Sequence, residues 1–555
     1  MALHNASRLQ KRLIAFGALL NPYNFVIKEI NLRPLTMTIR INHSPKKGVN
    51  SAQPSEVLIN QKESLNMDHV NVIIVGAGLS GVGAAVHLRQ KCPGKTFTLL
   101  EGRDTLGGTW DLFRYPGIRS DSDMHTLGYN FKPWTEAKAI ADGPSIRKYV
   151  NQTADEFAVR EHIRFGHKVL NAAWDSEAAR WAVTSQLKDG TESVVTGDFL
   201  FMCGGYYNYD EAYRPEFPGQ DAFKGQVIHP QFWPEDLDYS GKKVVVIGSG
   251  ATAMTLVPAM AEKGATVTMV QRSPTYVVSR PAEDRIANTL RKYLPDSWAY
   301  AITRLKNTTM SGYFYNQTRT QPEKVKQQIL GMARQAIGNE MVDKHFTPSY
   351  NPWDQRMCLI PNGDLYQAIN NGSAEVVTGD IETWTESGLT MTDGTEIDAD
   401  IIVTATGLKL IVMSGVEFEV DGKAVHFPET FTYKGMMYSS IPNMAQTFGY
   451  INASWTLRAD LTAEYVCRLL NHMDAVGASV VTPTLRPEDH NMPARDWIED
   501  FTPGYMQRMM HLFPKQGYGP WCNTQNYRLD KRMIRKAPIE DDALVFSNPE
   551  AAKAA

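Results

Sequence analysis

The chain has 555 residues, of which 43% are hydrophobic and 21% charged, and its formal net charge is -3 at pH 7. A chain of this length is too long for one compact core, and its near-neutral charge gives no reason to expect a nucleic acid or an anionic membrane as the main partner. The sequence contains no run of about 18 apolar residues, so it predicts no membrane-spanning helix.

The first residues form a basic leader. Residues 1–28 contain four cations and no acid, and Leu13–Leu20 is a short apolar stretch. This pattern imitates a targeting peptide, but no small-residue cleavage site follows, and residues 42–62 have the polar composition of a disordered segment. We expect residues 1–66 to be a dispensable or disordered leader and Met67 to open the folded domain. Loose attachment of the leader to a membrane is an alternative.

A strand, a glycine turn, a helix and a second strand open the predicted domain. The strand Val70–Val75 runs into Gly76-Ala77-Gly78-Leu79-Ser80-Gly81, the helix Val82–Lys91 follows, and the strand Thr96–Leu100 ends at Glu101. This order is typical of a parallel βαβ unit. Glycines let the backbone approach a pyrophosphate at the positive end of the helix, and Glu101 is placed to accept ribose hydroxyls. Gly76, Gly78, Gly81 and Glu101 therefore predict a dinucleotide site that suits FAD.

A second copy of this pattern starts at the strand Lys243–Ile247. Gly248-Ser249-Gly250-Ala251-Thr252-Ala253 follows, then the helix Met254–Lys263 and the strand Thr266–Gln271. Ala253 replaces the third glycine, which dinucleotide-binding turns accept. Arg272 stands after the second strand in place of an acid, and an arginine pairs with a 2′-phosphate that a carboxylate would repel. The second site should therefore prefer NADPH to NADH.

The two halves also share a late element, an apolar strand that ends in glycine. Phe199–Cys203 leads into Gly204-Gly205, and Ile401–Thr404 leads to Gly407. We predict an α/β fold of two Rossmann-like dinucleotide-binding domains, the second inserted into the first. The expected boundaries are 67–222 for the first part of the FAD domain, 223–380 for the NADPH domain with a helical insertion at 282–344, and 381–555 for the return of the FAD domain and a C-terminal cap.

The five cysteines are scattered, and none forms a Cys-x-x-Cys pair with another. This spacing argues against a structural zinc site, a redox dithiol and a secreted disulfide scaffold. We expect reduced cysteines, a cytoplasmic location and no metal. The five are Cys92, Cys203, Cys358, Cys467 and Cys522.

Two further motifs narrow the chemistry. Phe223–Glu235 reads FKGQVIHPQFWPE, which matches the pattern FxGxxxHxxxWP, and Gly107–Asp121 matches GGxWxxxxYPGxxxD. Together with the two glycine turns, these motifs resemble the type I Baeyer–Villiger monooxygenases over most of the chain from Met67 onward. Gly107–Trp134 and Tyr350–Gly363 most resemble a branch of that family that S-oxygenates thioamides.

The resemblance implies a set of cofactor contacts. It implies FAD contacts at Ser80, Glu101, Thr109, Trp110, Asp111, Leu112, Asp121 and Val169. It implies NADPH contacts at Arg119, Ser120, Asp121, Gly248, Ser249, Gly250, Ala251, Thr252, Ala253, Met254, Gln271 and Arg272.

The resemblance also implies that Arg356 is the catalytic arginine and that Asp121 pairs with it and orients it. The family reaction runs through a flavin peroxide that attacks a carbonyl, and a fixed guanidinium stabilises the negative charge of both the peroxide and the adduct. Many members have a lysine before this arginine that helps bind the 2′-phosphate. Here that position is Gln355, which leaves Arg272 as the main support for an NADPH preference.

Other polar and aromatic residues have less specific interpretations. His229 could serve as a general base, but the mechanism needs no imidazole, and we expect a hydrogen-bonding or hinge role between the two nucleotide domains. Residues 452–455 and the cluster Trp353, Tyr438 and Trp521 could line a substrate pocket, although aromatic residues are more often core.

The resemblance implies insertion of one atom of O2 into a ketone to give an ester or lactone, and S-oxygenation of thioethers or thioamides. A flavin-containing N- or S-monooxygenase without ketone activity is one alternative. A flavin reductase for disulfides or quinones is another, but its disulfide form needs a paired cysteine motif. A non-catalytic nucleotide-binding redox sensor is a third, and it has no need for Arg356, Asp121 and the Trp-Pro motif together.

Overall fold

The computed structural model describes residues 68–499 and 501–549. The expectations for the leader and for Met67 lie outside the described residues. The helices are α1 Leu79–Lys91, α2 Thr109–Leu112, α3 Met124–Leu127, α4 Gly143–Glu156, α5 Ala251–Glu262, α6 Arg285–Tyr293, α7 Asp296–Thr320, α8 Pro322–Ile337, α9 Asn339–His345, α10 Asp364–Asn370, α11 Trp455–Val476, α12 Gly504–Gln507 and α13 Tyr527–Lys536.

The strands lie in both halves of the chain. The first are β1 Asp68–Val75, β2 Phe97–Glu101, β3 Ile163–Phe165, β4 Lys168–Asp175, β5 Arg180–Gln186, β6 Glu192–Met202, β7 Tyr207–Ala212, β8 Gln226–Ile228, β9 Lys243–Ile247, β10 Thr266–Gln271, β11 Val277–Arg280, β12 Cys358–Pro361 and β13 Ala374–Thr378. The later ones are β14 Ile381–Thr385, β15 Gly388–Met391, β16 Glu396–Asp398, β17 Ile401–Thr404, β18 Leu408–Leu410, β19 Glu417–Val420, β20 Lys423–Ala424, β21 Thr432–Tyr433, β22 Met437–Tyr438, β23 Met444–Gln446, β24 Val480–Pro483, β25 Arg495–Asp496, β26 Lys515–Gln516 and β27 Leu544–Ser547.

The first dinucleotide domain is built on a nine-stranded sheet. Its order is β20-β19-β4-β5-β6-β1-β2-β3, and β23 pairs with β6. β1 runs parallel to both β2 and β6, so the first glycine turn leaves the carboxyl end of a central strand. The predicted βαβ unit is confirmed, except that α1 begins at Leu79, inside the turn, because Gly78 caps the helix.

The second dinucleotide domain has a five-stranded parallel sheet in the order β13-β10-β9-β17-β8. β17 lies between β9 and β8 and is parallel to both. The predicted boundary at 380 is therefore too early, because the sheet is incomplete without Ile401–Thr404. The small sheet β14-β15-β16 also packs on this domain, where Trp384 and Leu389 contact Ile402 and Val245 in one apolar cluster.

Two strands connect the two domains. β7 leads out of the first domain, β18 leads back, and the two pair antiparallel. The segment predicted to be a helical insertion at 282–344 contains four helices, α6 to α9. No helix in the described part of the chain is both long and apolar enough to cross a bilayer.

The segment after β18 returns to the first domain. β19 joins the first sheet beside β4, and α11 packs against both α1 and α13. A buried ion pair from Arg458 to Asp530, 2.5 Å long, joins α11 to α13. This return brings residues from the end of the chain to the same cavity as both glycine turns.

Candidate active site

The first glycine turn is closed by contacts within the protein. A Cβ on Gly81 would lie 1.9 Å from the carbonyl oxygen of Gly76, so only glycine lets α1 pack this closely on the turn. The carboxylate of Glu101 is buried and accepts the N–H of Ala77 at 2.7 Å and that of Arg103 at 3.0 Å. Burial raises the pKa of Glu101, although both hydrogen bonds oppose the shift. Each carboxylate oxygen keeps a second lone pair, so the predicted role toward a ribose is compatible with these bonds.

The second glycine turn is more open. Gly248 has φ +139°, and a Cβ there would lie 2.3 Å from the carbonyl oxygen of Ala405. A Cβ on Gly250 would meet no protein atom within 4 Å, so the space above the turn is free. Arg272 follows β10 and is exposed at the edge of that space.

One cavity of about 1010 Å³ contains both turns. Most of the predicted site residues line it, and they are Gly76, Gly78, Ser80, Glu101, Thr109, Trp110, Arg119, Ser120, Asp121, Val169, Gly248, Ser249, Gly250, Ala251, Thr252, Arg272 and Arg356. The remaining predicted residues lie behind this lining, and they are Gly81, Asp111, Leu112, Ala253, Met254 and Gln271.

Asp111 is a buried ion-pair centre behind the cavity wall. Its carboxylate accepts from Arg103 at 2.6 Å, Arg114 at 2.8 Å and Arg147 at 3.1 Å, and from the Thr105 hydroxyl at 2.5 Å. Burial opposes its ionisation, but these partners together lower the pKa of Asp111. Asp111 therefore fixes the segment that carries Thr109 and Trp110, and its carboxylate faces these partners.

Gln271 also points away from the cavity. Its amide nitrogen donates to the carbonyl of His345 at 2.7 Å and to the Thr378 hydroxyl at 3.0 Å, and its side chain is buried. These bonds join α9 and β13 to β10. The predicted contact of the Gln271 side chain with NADPH has no support in this geometry, whereas its neighbour Arg272 reaches the cavity.

The GGxWxxxxYPGxxxD segment lies at the junction of the two domains. Arg119 forms an ion pair with Asp364 at the start of α10 and donates to the Met254 carbonyl in α5 at 3.3 Å. A Cβ on Gly117, which has φ +73°, would lie 2.6 Å from the Cβ of Ala259 in α5. The motif therefore holds the two nucleotide domains against each other, in addition to lining the cavity.

Arg356 and Asp121 face the same cavity. Burial raises the pKa of Asp121, and the positive charges of Arg356 and Arg119 oppose that shift. Asp121 and Arg356 form no direct ion pair among the described residues, while Arg119 pairs with Asp364. The predicted pairing of Asp121 with Arg356 thus corresponds here to a longer-range attraction, which leaves the guanidinium free toward the cavity.

Three tyrosines near Arg356 were not predicted from the sequence as site residues. Tyr206 and Tyr207 follow β6, with their hydroxyls 3.2 Å apart, and Tyr505 comes from α12. Burial raises the pKa of Tyr505 to about 12, while the charge of Arg356 opposes the shift. The hydroxyls of Tyr206 and Tyr505 therefore stay protonated at neutral pH. Tyr206 and Tyr207 could have been found, because they follow the carboxyl end of a parallel strand, but no local signal marks Tyr505.

Aromatic residues divide between the cavity and the core. Trp455 lines the cavity, donates from Nε1 to the Ser80 hydroxyl at 2.7 Å and stacks on Tyr206 with ring centroids 5.3 Å apart. Tyr438 and Trp521 are fully buried in the core, and Trp353 packs on Tyr315. The pocket hypothesis thus fits the segment at 452–455 and does not fit the cluster of three.

His229 lies beside the double connection between the domains. Its Nδ1 accepts the Gln231 N–H at 3.2 Å, and burial lowers its pKa to about 4, against a hydrogen bond with the backbone of Gly407. The Gln231 side chain donates to the carbonyls of Asn208 at 2.8 Å and Tyr209 at 3.1 Å. The FxGxxxHxxxWP segment therefore anchors β7 and the residues before β18, as the predicted hinge role requires.

The cavity has the features that two dinucleotides need. The first turns of α1 and α5 begin at the two glycine turns, where unpaired N–H groups favour a pyrophosphate. The space over Gly250 is open, and the buried Nε of Arg119 has no hydrogen-bond partner among the described residues. The residues present therefore fit FAD at the first turn and a phosphorylated nicotinamide dinucleotide at the second.

Comparisons with known proteins agree with this architecture. Residues 139–436 match the flavin-binding monooxygenase-like family, and residues 74–142 match an NAD(P)-binding Rossmann-like domain. The FAD-containing monooxygenase EthA of Mycobacterium tuberculosis is 52% identical over 483 residues, which cover 86% of this chain and 98% of EthA. The putative FAD-containing monooxygenase MymA of the same species is 48% identical over 86% of this chain and 98% of its own length.

Solved structures share the fold. A steroid monooxygenase bound to NADP has a TM-score of 0.68 at 22% identity, covering 86% of this chain and 100% of that protein. A cyclohexanone monooxygenase from Rhodococcus bound to NADP+ has a TM-score of 0.67 at 21% identity, covering 87% of this chain and 100% of its own.

Proposed function

Since the chain belongs to the flavin-binding monooxygenase-like family and is a flavin-dependent monooxygenase, we propose that it is a Baeyer–Villiger enzyme using FAD and NADPH. In this reaction a ketone, O2, NADPH and one proton give an ester or lactone, NADP+ and water. Thioethers and thioamides would be oxygenated at sulfur at the same site. The observation that carries the proposal is the guanidinium of Arg356, which forms no ion pair with any described residue and lines one cavity with both glycine turns.

The two turns would divide the cofactors by charge. The first turn, with Glu101 at the end of β2, would hold FAD through the N-terminus of α1 and the ribose hydroxyls. The second turn would hold NADPH, with Arg272 pairing with the 2′-phosphate. Bound FAD supplies the redox chemistry by accepting a hydride from NADPH and activating O2.

Arg356 would act on the reacting carbonyl. Its guanidinium is charged at every working pH, so it stabilises negative charge on oxygen without giving up a proton. In a site from which water is excluded, such a donor contributes several kcal/mol to the transition state, on the order of 3 kcal/mol for one group. Asp121 would act as the positioning residue, since its negative charge attracts the guanidinium of Arg356.

The tyrosines and Trp455 would control water and substrate orientation. Tyr206, Tyr505 and Trp455 line the same cavity as Arg356, and the protonated hydroxyls of Tyr206 and Tyr505 are hydrogen-bond donors. His229 would take no proton in the reaction, because an imidazole with a pKa of about 4 is a weak base. The cavity-lining thiols of Cys203 and Cys358 have their pKa raised to about 12 by burial, which makes them poor redox nucleophiles.

The test is product analysis with isotopically labelled oxygen. Purified, FAD-loaded protein receives NADPH, 18O2 and a mixture of a long-chain ketone, a cyclic ketone and an aryl thioether. An ester or lactone that carries one 18O atom would establish Baeyer–Villiger activity. Labelled sulfoxide alone would overturn the ketone assignment in favour of a heteroatom oxygenase. Hydrogen peroxide without any labelled product would show that none of the three test compounds is a substrate.

A further inference from the structure

The helices α6 and α7 expose large apolar side chains to solvent. Seven of them range from 40% exposed for Ile302 to 81% for Tyr293. The seven are Ile286, Tyr293, Trp298, Ile302, Leu305, Met310 and Tyr313. Soluble proteins expose single apolar residues freely, but a cluster of this kind marks an interaction surface.

The exposed side chains of α7 form a stripe. With about 100° between successive helical residues, Trp298, Ile302, Leu305 and Tyr313 fall within an arc of roughly 80°. The opposite side of the same helix carries the buried residues Tyr300 and Thr318. The stripe therefore faces away from the protein.

The inner side of α7 is firmly attached. Arg304 donates from Nη1 to the carbonyls of His125 at 2.9 Å and Gly128 at 2.7 Å, around α3, and pairs with Asp460 at 3.2 Å. These bonds hold the orientation of the helix. Exposure of the stripe is thus a consequence of the fold and does not come from fraying of a helix end.

Positive charge accompanies the stripe. Residues 283–313, which include the two acids directly before α6, contain five cations and three acids, a net charge of +2 in a chain whose total is -3. Two of the cations are paired, Arg304 with Asp460 and Lys306 with Asp284. Arg285, Arg291 and Lys292 then remain against Glu283 and Asp296. The near-neutral total charge of the chain therefore conceals a local excess of positive charge beside the apolar and aromatic stripe.

We propose that this surface, which we call the α6–α7 face, docks on an anionic lipid bilayer. Anionic headgroups supply the charge opposite to the basic side chains, and Trp and Tyr prefer the boundary between headgroups and hydrocarbon. A second copy of the chain fits less well, because a two-fold contact places the same patch on both partners and brings like charges together. One helical stripe is also small beside the roughly 1,200 Å² or more that stable interfaces bury.

The location of this face bears on substrate access. α7 packs on α3, and Leu127 at the end of α3 lines the active-site cavity. Docking through the outer side of α7 would place the bilayer one helix layer away from that cavity. A lipophilic substrate dissolved in the membrane would then be concentrated near the site.

The experiment is vesicle co-sedimentation with the full chain. Phosphatidylcholine vesicles are compared with vesicles that also contain about 30% phosphatidylglycerol. Wild-type protein should bind the anionic vesicles, and salt should weaken the binding. A chain with Trp298→Ser, Ile302→Ser and Leu305→Ser should bind roughly tenfold to a hundredfold more weakly. Arg285→Glu with Lys292→Glu should remove most of the preference for anionic lipid.

The matched control is Leu529→Ser on α13, since Leu529 is 57% exposed and Leu305 is 55% exposed. This variant should bind like wild type, and NADPH oxidation by every variant reports an intact fold. Wild-type binding by the triple variant would overturn the proposal and assign binding elsewhere, such as to residues 1–67. Failure of wild type to bind anionic vesicles, with the triple variant dissociating a dimer in sedimentation, would assign the face to a second copy.

Discussion

The two glycine turns share one order of strand, turn, helix and strand, but the charged residue that follows is buried at the first turn and exposed at the second. At the first turn Glu101 is buried and already holds two backbone N–H groups. At the second turn Arg272 is exposed beside the open space over Gly250. One chain pattern has therefore produced a closed, preorganised turn and an open one.

This difference suggests how each turn treats its ligand. A turn whose charged group is fixed by the protein's own backbone loses little entropy when it binds and suits a resident cofactor. A turn with an exposed, solvated guanidinium suits a dinucleotide that leaves after each turnover. Four substitutions test this contrast, and the first acts where the two turns meet.

Arg356→Ala should have the largest effect. Because Arg356 lines the cavity that contains both turns and belongs to neither turn, flavin reduction by NADPH should persist while ester or sulfoxide formation falls on the order of a thousandfold. Stopped-flow absorbance measures the reduction, and mass spectrometry measures the product. Arg319→Ala is the matched control, since Arg319 pairs with Asp354 near the same segment and does not line the cavity. A product yield close to that of wild type in Arg356→Ala would contradict the catalytic role.

Glu101→Gln should act next most strongly, and on FAD alone. The amide cannot accept both backbone N–H groups, and a buried donor without an acceptor costs about 1–3 kcal/mol. We expect FAD affinity to fall roughly tenfold to a hundredfold, measured by flavin fluorescence, with no change in nicotinamide preference. Asp104→Asn, a nearby exposed acid, is the control. Unchanged FAD affinity would mean that the closed turn does not depend on this carboxylate.

The same carboxyl gives a pH dependence with opposite signs for stability and binding. Because burial raises the pKa of Glu101, its contribution to stability is present below the unfolded pKa and is lost as the pH rises through the folded pKa. FAD binding should instead weaken on acidification, since protonation removes an acceptor. Melting temperature and FAD affinity of wild type, compared with Glu101→Gln between about pH 5 and pH 8, measure both. Parallel trends in the two quantities would refute the assignment.

Arg272→Ala tests the open turn. A charge-assisted bond to a 2′-phosphate contributes about 1.5–3 kcal/mol, so the KM for NADPH should rise roughly tenfold or more while that for NADH stays nearly constant. Steady-state oxidation of both coenzymes measures the ratio. Lys263→Ala, an exposed cation at the end of α5, should change neither constant. An equal rise for both coenzymes would show that Arg272 does not read the phosphate.

Trp455→Phe should have the smallest effect. It removes the hydrogen bond to Ser80 and keeps most of the stacking on Tyr206, a loss of about 1 kcal/mol. We expect a severalfold fall in kcat/KM for the organic substrate and an increase in hydrogen peroxide released per NADPH. Trp298→Phe, outside the cavity, should leave both unchanged. A change in FAD affinity without a change in peroxide release would place Trp455 with the first turn and not with the substrate.

Local sequence patterns predicted the strands well. β9, β10 and β17 begin and end where their apolar runs do, because each run is bounded by glycine or by charged and polar residues. The helix starts were less accurate, since Gly78 and Gly250 serve as helix caps as well as turn residues. The domain boundary at 380 was wrong because β17 fits between β9 and β8, and nothing near residue 401 encodes that distant pairing.

By itself the sequence predicted the ligand chemistry of the two turns. The glycines, the acid at the end of β2 and the arginine after β10 are close together in the sequence, and their order alone indicates a dinucleotide site. Only the tertiary structure decided which side chains reach the cavity. It turned Asp111 toward three arginines and Gln271 into the domain core, and it brought Tyr505 from the end of the chain to Arg356. The reason is physical: the direction of a side chain is set by packing partners that lie far away along the chain.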